Sequence, residues 1–227
     1  MKDIIIFGTG EIAKLARFYF ENDPKYEYKV VAFTADDEYV KSEYFNGLPL
    51  MPLSKLYKRF PPKKYAAHVA LSYQKLNQIR QQKYDLMKTL GYELVSYVCS
   101  KSVYWNDLKI GDNCFILENQ TIQPTVKIGN NVMIWSTNHL GHNCEIRDHA
   151  YLASGITVSG HTIIGERSFV GVNAAFKDFI RIGSDCFITM GTNVTKNIEE
   201  GSTVTSSKIF SKEDIVNKKL KKKYFNL

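Results

Sequence analysis

KIGDNCFILENQTIQPTVKIGNNVMIW, residues 109–135, returns to its own beginning after eighteen positions: Lys109-Ile110-Gly111 reappears as Lys127-Ile128-Gly129. A shorter period lies inside this one. Steps of six from Ile110 reach Ile116, Ile122, Ile128, Ile134 and Leu140. They continue to Val194 through fifteen positions, all bulky and apolar. At this composition such a run arises by chance on the order of once in a few hundred thousand trials. Four places after each bulky residue the chain is usually small or β-branched, as at Cys114, Val126, Val132, Cys144, Ala150, Ser168, Ala174 and Cys186. Three short strands per eighteen residues make one triangular turn of a coil. The bulky residue points inside and the small one fills a corner. Each coil then buries its face only against its neighbours.

Residues 1–100 have a different grammar. DIIIF (3–7) reads as a buried strand, and Ile12, Leu15, Ala16 and Tyr19 mark an amphipathic helix after it. YKVVAFT (28–34), HVALS (68–72) and ELVSYV (93–98) read as three further strands. A helix with Leu76, Ile79, Leu86 and Leu90 on one face ends at Gly91. Alternation of this kind predicts a small parallel sheet covered by helices, a Rossmann-like βαβ domain.

Bulk composition narrows the function classes. Net charge is +7, yet the seven lysines from Lys208 onward, against Glu213 and Asp214, carry +5 of it. The remainder is nearly neutral, so no nucleic-acid face is expected. SKEDIVNKKLKKKYF (211–225) opens on a capping-box pattern at Ser211 and Asp214 and reads as a short terminal helix. Its lysines suit a solvated face, the 3′-phosphate of coenzyme A or an anionic membrane surface; the solvated face is the expectation. No apolar run approaches the length that spans a bilayer, and no leader pattern precedes the first strand. A cytoplasmic protein is expected. The four cysteines show no CxxC pairing, and three of them fall on the small corner positions.

The hexad pattern, covering half the chain, resembles the hexapeptide-repeat, left-handed parallel β-helix acyltransferases. Joined to an N-terminal GxGxxA βαβ unit, it resembles their PglD/NeuD-type sugar acyltransferases over nearly the whole sequence. The resemblance implies three parts: a nucleotide-sugar-binding domain at 1–100, a left-handed β-helix acyltransferase domain at 101–208, and a basic tail or helix at 209–227. It implies transfer of acetyl from acetyl-CoA to the amino group of a nucleotide-linked amino sugar in surface-glycan biosynthesis. O-acetylation of a sugar hydroxyl is the alternative. It further implies a homotrimer, which completes a groove between coils, and no metal.

WSTNHLGHNCEI (135–146) carries His139 and His142 on either side of the inward residue Leu140. His139, next to the inward residue, points out of the coil; His142, two places after it, lies in the segment approaching the corner and is also outside. By resemblance the general base is the histidine of His142-Asn143-Cys144-Glu145-Ile146. An imidazole titrating near neutrality suits removal of the acceptor proton, since a thioester is already activated. His139 either orients the acceptor or is itself the base, and Asn138 is a candidate hydrogen-bonding partner of the sugar. Relatives often place an acid directly after the catalytic histidine, where this chain has Asn143. Some carry a second histidine where Tyr151 stands. Either the base works unaided, or Glu145 or a neighbouring chain supplies the acid.

Gly8 and Gly10, in Gly8-Thr9-Gly10-Glu11-Ile12-Ala13, stand between strand and helix, where backbone N–H groups meet a phosphate. Asp36 and Asp37 follow the second strand and can hold ribose hydroxyls. Lys75, Asn77 and Arg80 can meet a diphosphate or form a solvated helix face. By resemblance Gly160, Val172, Asn173 and Gly191 line the acetyl-CoA groove. Lys208 closes a VTSSK exit (204–208) that lacks the family's proline.

Two other classes compete. A β-helix carbonic anhydrase holds zinc through a histidine pair five apart and one upstream, whereas the gaps from His139 through His142 and His149 to His161 are 3, 7 and 12. A nucleotide-sensing module that has lost catalysis is compatible with Asn143 and the altered exit.

Overall fold

The computed structural model describes residues 2–206 and 209–210. The expected terminal helix at 211–225 and Lys208 lie outside the described residues. The chain begins with β1 (Lys2–Phe7), α1 (Glu11–Asn22) and β2 (Tyr28–Ala35). β3 (Tyr44–Phe45), β4 (Leu48–Pro52), α2 (Leu53–Arg59), β5 (Ala66–Val69) and α3 (Gln78–Thr89) follow. The sheet runs β3-β4-β2-β1-β5, parallel except for β3. Its interior strand β1 buries Ile4, Ile5 and Ile6 completely, because both faces are covered.

Three sequence expectations for this half need correction. Sequence reading missed β4, which pairs with β2 on one side and the two-residue β3 on the other; its two prolines break the strand signal. The 93–98 segment is no single fourth strand. Leu94 only bridges Ala67, while Tyr97–Val98 (β6) is already a rung of the coil. Finally, α3 buries Arg80, Tyr84 and Met87, with the expected leucines only half-buried. Polar partners on the coil overrode the simple apolar stripe.

From Lys109 onward the chain forms two-residue strands stacked in three sheets, parallel except for Ile209–Phe210, which pairs antiparallel with Thr203–Val204. Partners are eighteen residues apart up to Val194: Ile110 pairs with Ile128, Ile128 with Ile146, Leu140 with Val158, and Ile134 with Leu152; beyond it the spacing closes to sixteen, with Ile188 against Val204. Every inward residue from Ile116 to Val194 is at most 4% exposed. The small corner residues carry a second function. Cys144 Sγ, Thr162 Oγ1 and Ser168 Oγ donate at 3.0, 2.8 and 2.9 Å to carbonyls of the next coil, fifteen residues on. They satisfy backbone acceptors that the turn would otherwise orphan.

Each corner also contains a left-handed residue. Positive φ recurs every six residues from Asn113, through Asn143 and His149 to Asp185. Asparagine, aspartate and histidine tolerate this region best, so Asn143, His149 and His161 stand where backbone geometry favours their types.

We call the three sides of the prism the docking face, the histidine face and the outer face. The docking face contains Tyr97–Val98, Phe115–Ile116, Met133–Ile134 and Tyr151–Leu152. Its outward Phe115, Met133 and Tyr151 pack into the same core cluster as Ala13, Ala16 and Phe20 of α1. The histidine face contains Thr121–Ile122, His139–Leu140, Thr157–Val158, Ala175–Phe176 and Asn193–Val194. The outer face begins at Lys109–Ile110.

A polar seam joins the two halves. Asn113 accepts from the Val69 N–H (2.7 Å) at the end of β5 and donates to Asn131, whose amide meets His149 Nδ1 (2.9 Å). Asn77 donates to the Arg167 carbonyl (2.7 Å), and Arg80 to the His149 carbonyl (2.6 Å). Asn77 and Arg80 are thus buried fasteners; neither meets a diphosphate nor forms a solvated face.

His68 and His149 are buried, and burial pushes each imidazole down to about 4. Both are neutral in the fold and take up a proton only on unfolding below about 6.5, so this contribution to stability is present above that pH and lost towards pH 4. Urea midpoints are expected to fall between pH 6.5 and 5. His149→Asn, which installs the residue of the two preceding corners, should remove about one proton from the slope, about 1.4 kcal/mol per pH unit. An unchanged slope in that variant would show His149 to be protonated in the fold.

Candidate active site

Two sites emerge, one in each half. The first is a cleft of about 830 Å³ at the C-terminal ends of β1, β2 and β5, the position at which open α/β sheets receive ligands. Gly8, Gly10, Asp36 and Lys75 line it. Gly8 has φ +136°, and a Cβ there would stand 2.7 Å from the Ala70 carbonyl. Gly10 precedes the first turn of α1, and a Cβ there would meet nothing within 4 Å. The glycine at 8 is demanded by the fold; the one at 10 leaves open space in front of a helix N-terminus. Asp36 pairs with Lys83 Nζ at 2.6 Å. Lys83 and Tyr39 also line the cleft, and sequence reading missed both. Lys83 lies on α3, eight residues beyond Lys75 and outside any motif.

Asp37 is not part of this cleft. Its carboxylate accepts from the Ser54 hydroxyl and the Ser54 N–H (3.1 Å), which hold it below the usual carboxylate range. It holds the first turn of α2 rather than awaiting a ribose.

The second site is the corner between the histidine and outer faces. His142 is exposed, and its backbone N–H donates to Gln123 Oε1 on the preceding coil at 2.8 Å. The Asn143 side-chain oxygen stands 2.9 Å from His142 Nδ1. An amide oxygen can only accept, so Nδ1 carries the proton and Nε2 keeps a lone pair for a base to use. The imidazole lies over Gly160. A Cβ on that residue would approach Cε1 and Nε2 to 2.9 Å, so only glycine leaves the ring its place. The Gly160 N–H donates to no group among the described residues.

Two further rings extend the site. His161 meets His142 edge-on with centroids 5.0 Å apart, and Phe179 stacks on His161 at 4.6 Å. Phe179 is 71% exposed although its φ is +59°. Sequence reading weighed His161 only as a zinc ligand and overlooked Phe179. The signal was present, since 143, 161 and 179 are successive left-handed corners eighteen apart.

His139 lies half-buried on the histidine face, three residues from this corner. Asn138 is excluded as a sugar ligand. It is 1% exposed, and its amide is consumed by the Trp135 carbonyl (2.5 Å) and the Ile156 N–H (2.6 Å). Val172, Asn173 and Gly191 occupy the opposite edge of the histidine face, at its corner with the docking face. Val172 is exposed there, and Gly191 has φ +64°. The residues expected along one groove therefore fall on two corners of one chain, with the histidine face between them. Glu145 bonds to Arg147 (3.0 Å) and not to His142. Among the described residues no three metal-binding side chains come together, and no helix is long and apolar enough to cross a membrane.

A model of the hexapeptide repeat of succinyl-transferase matches residues 161–196. No curated protein matches the chain in sequence. Solved structures match nearly its whole length. The acetyltransferase domain of PglB from Neisseria gonorrhoeae superposes with a TM-score of 0.79 at 20% identity, covering 92% of this chain and 98% of that one. A histidine-to-asparagine variant of perosamine N-acetyltransferase from Caulobacter crescentus, in complex with CoA and GDP-perosamine, gives 0.81 at 19%, covering 93% and 98%. WeeI from Acinetobacter baumannii gives 0.76 at 22%, covering 92% and 99%. The chain has the fold of the hexapeptide-repeat sugar acetyltransferases. That fold is a Rossmann-like domain docked on a left-handed parallel β-helix, as the alternation in residues 1–100 and the resemblance of the repeat implied.

The two cleft glycines should separate in unfolding experiments. Gly8→Ala is expected to cost about 2 kcal/mol or more through collision and backbone strain. Gly10→Ser, a good residue before a helix, should stay within about 0.5 kcal/mol of wild type. Equal losses would place the constraint elsewhere in the turn.

Proposed function

We propose that the protein is an acetyl-CoA-dependent N-acetyltransferase acting on the amino group of a nucleotide-linked amino sugar, in surface-glycan biosynthesis. The observation that carries this reading is His142: an exposed imidazole with Nδ1 held by Asn143 and Nε2 left basic above Gly160. The bound CoA and GDP-perosamine of the Caulobacter neighbour support the choice of both substrates.

In this reading the cleft at Gly8 and Gly10 takes the nucleotide diphosphate on backbone N–H groups at the start of α1, with Asp36 and Lys83 at its rim. The sugar amine reaches His142 Nε2, which removes a proton as nitrogen attacks the thioester carbonyl. A tetrahedral oxyanion forms; the unengaged Gly160 N–H is the donor at hand for it. Collapse expels the CoA thiolate, which takes up a proton. Asn143 fixes the tautomer without adding negative charge, which suits an amine, an acceptor that is nucleophilic once deprotonated.

Because Val172, Asn173 and Gly191 lie across the histidine face from His142, the acetyl-CoA groove is assembled between two chains of a homotrimer. Exposed Phe179, Val172 and Met190 on the flanking corners support burial there. The protein works in the cytoplasm, without metal, nucleic acid or membrane surface as partners.

Thiol release from acetyl-CoA, followed with nucleotide sugars bearing amino or only hydroxyl groups, tests the reading. Rapid release with an amino sugar is expected. His142→Ala should lower kcat by about 10²–10⁴ and His139→Ala by less than about tenfold. Gly160→Ala, which displaces the ring, should fall between them with an unchanged Tm. Turnover confined to hydroxyl sugars would make the protein an O-acetyltransferase. Full activity in His142→Ala would remove it as the base.

A further inference from the structure

Behind the nucleotide cleft, between β5 and the docking face, lies a second, much smaller cavity of about 10 Å³, room for one water-sized sphere. Ile12, Ala70 and Leu71 separate it from the cleft. Its polar lining is Arg80, His68, Asn113 and Asn131.

Arg80 is the anomaly. It is 2% exposed, and its guanidinium uses one nitrogen only. Nη2 donates to Asn77 Oδ1 (3.1 Å) and to the carbonyls of His149 (2.6 Å) and Ala150 (3.2 Å). Nε and Nη1 are fully buried and donate to no protein group among the described residues. Every acceptor that Arg80 has is neutral; no carboxylate pairs with it among the described residues. The Tyr151 ring covers one face of the guanidinium, 5.7 Å away. A buried charge of this kind is costly unless it is both hydrogen-bonded and compensated.

The other polar groups leave little to share. Asn113 gives its amide hydrogens to the Val69 carbonyl (3.2 Å) and to Asn131 Oδ1 (2.7 Å). Asn131 gives one of its own to His149 (2.9 Å) and keeps one. His68 Nδ1 donates to the Val95 carbonyl (2.9 Å). Burial lowers Arg80 to about 10, so it remains a cation at neutral pH.

We propose that this cavity binds one small monovalent anion of halide size, chloride in ordinary solution, on Nε and Nη1 of Arg80. The volume admits a single sphere and excludes phosphate, sulfate and carboxylates. A water molecule can satisfy the same donors but leaves the guanidinium charge without a counter-charge. The anion supplies both. It is held between β5 and the docking face, so it binds the folded chain and stabilises the junction of the two halves. The assignment is independent of acetyl transfer.

Crystals grown in bromide, with chloride excluded, test the occupant directly. An anomalous difference peak against Arg80 Nε and Nη1 is expected; no peak there, with water density in its place, overturns the proposal. In solution, Tm is measured at fixed ionic strength while chloride replaces gluconate, which is too large to enter. A saturable rise of about 5 °C at a hundredfold excess over Kd is expected, and it should be absent in Arg80→Met. A Tm indifferent to chloride, or an equal rise in the variant, overturns it. Should Arg80→Met fail to fold, the bromide peak in the wild-type protein decides alone.

Discussion

One spacing governs the molecule: residues eighteen apart must lie one above another. Because each strand has only two residues, a slip of one position would turn the inward column outward over a whole face. The inward isoleucines, leucines and valines hold the register by burial, each contributing about 2 kcal/mol relative to exposure. Corner residues then share the same stacking, since the column that aligns Leu140 with Val158 also sets His142 over Gly160. The candidate base has a defined position because a repeated apolar core positions it.

The second constraint is the seam between the halves. Apolar contact covers the docking face broadly, but direction comes from the asparagine column at 113 and 131 and from Asn77 and Arg80. Buried polar groups of this kind specify one arrangement among several of similar area, since every alternative leaves donors unmatched. The cleft at Gly8 is thereby held in a fixed relation to the coil.

The coil was legible in the sequence because its signal is repeated fifteen times and depends only on residue type. The exposed placement of His142 was legible for the same reason, since the register fixes its direction. Asn138 was misread because its neighbour's role was extended to it; an asparagine two places before an inward leucine faces a corner and is consumed by the backbone. Asp37 differs from Asp36 only in which way the chain turns after β2, and no local pattern records that turn. Arg80 was least legible of all. Nothing in a stretch such as LNQIRQQ announces a buried charge, because its partners lie about seventy residues away on another element. Contacts within a repeat are written locally, whereas contacts between unlike halves are not.

The coil also behaves as a line of units rather than as a globule. Each rung touches only the rung before and the rung after, so thermal opening proceeds from an end like a zipper. His139 belongs to the second of the five strands on its face. Opening from the far end must undo the rungs at Asn193, Ala175 and Thr157 first, and the near end is closed by β6 and the domain docked beside it. Amide exchange should therefore be slow around His142 and graded towards Asn193. The candidate base sits towards the protected end of the zipper, whereas Phe179 and Gly191 belong to rungs nearer the end that opens first.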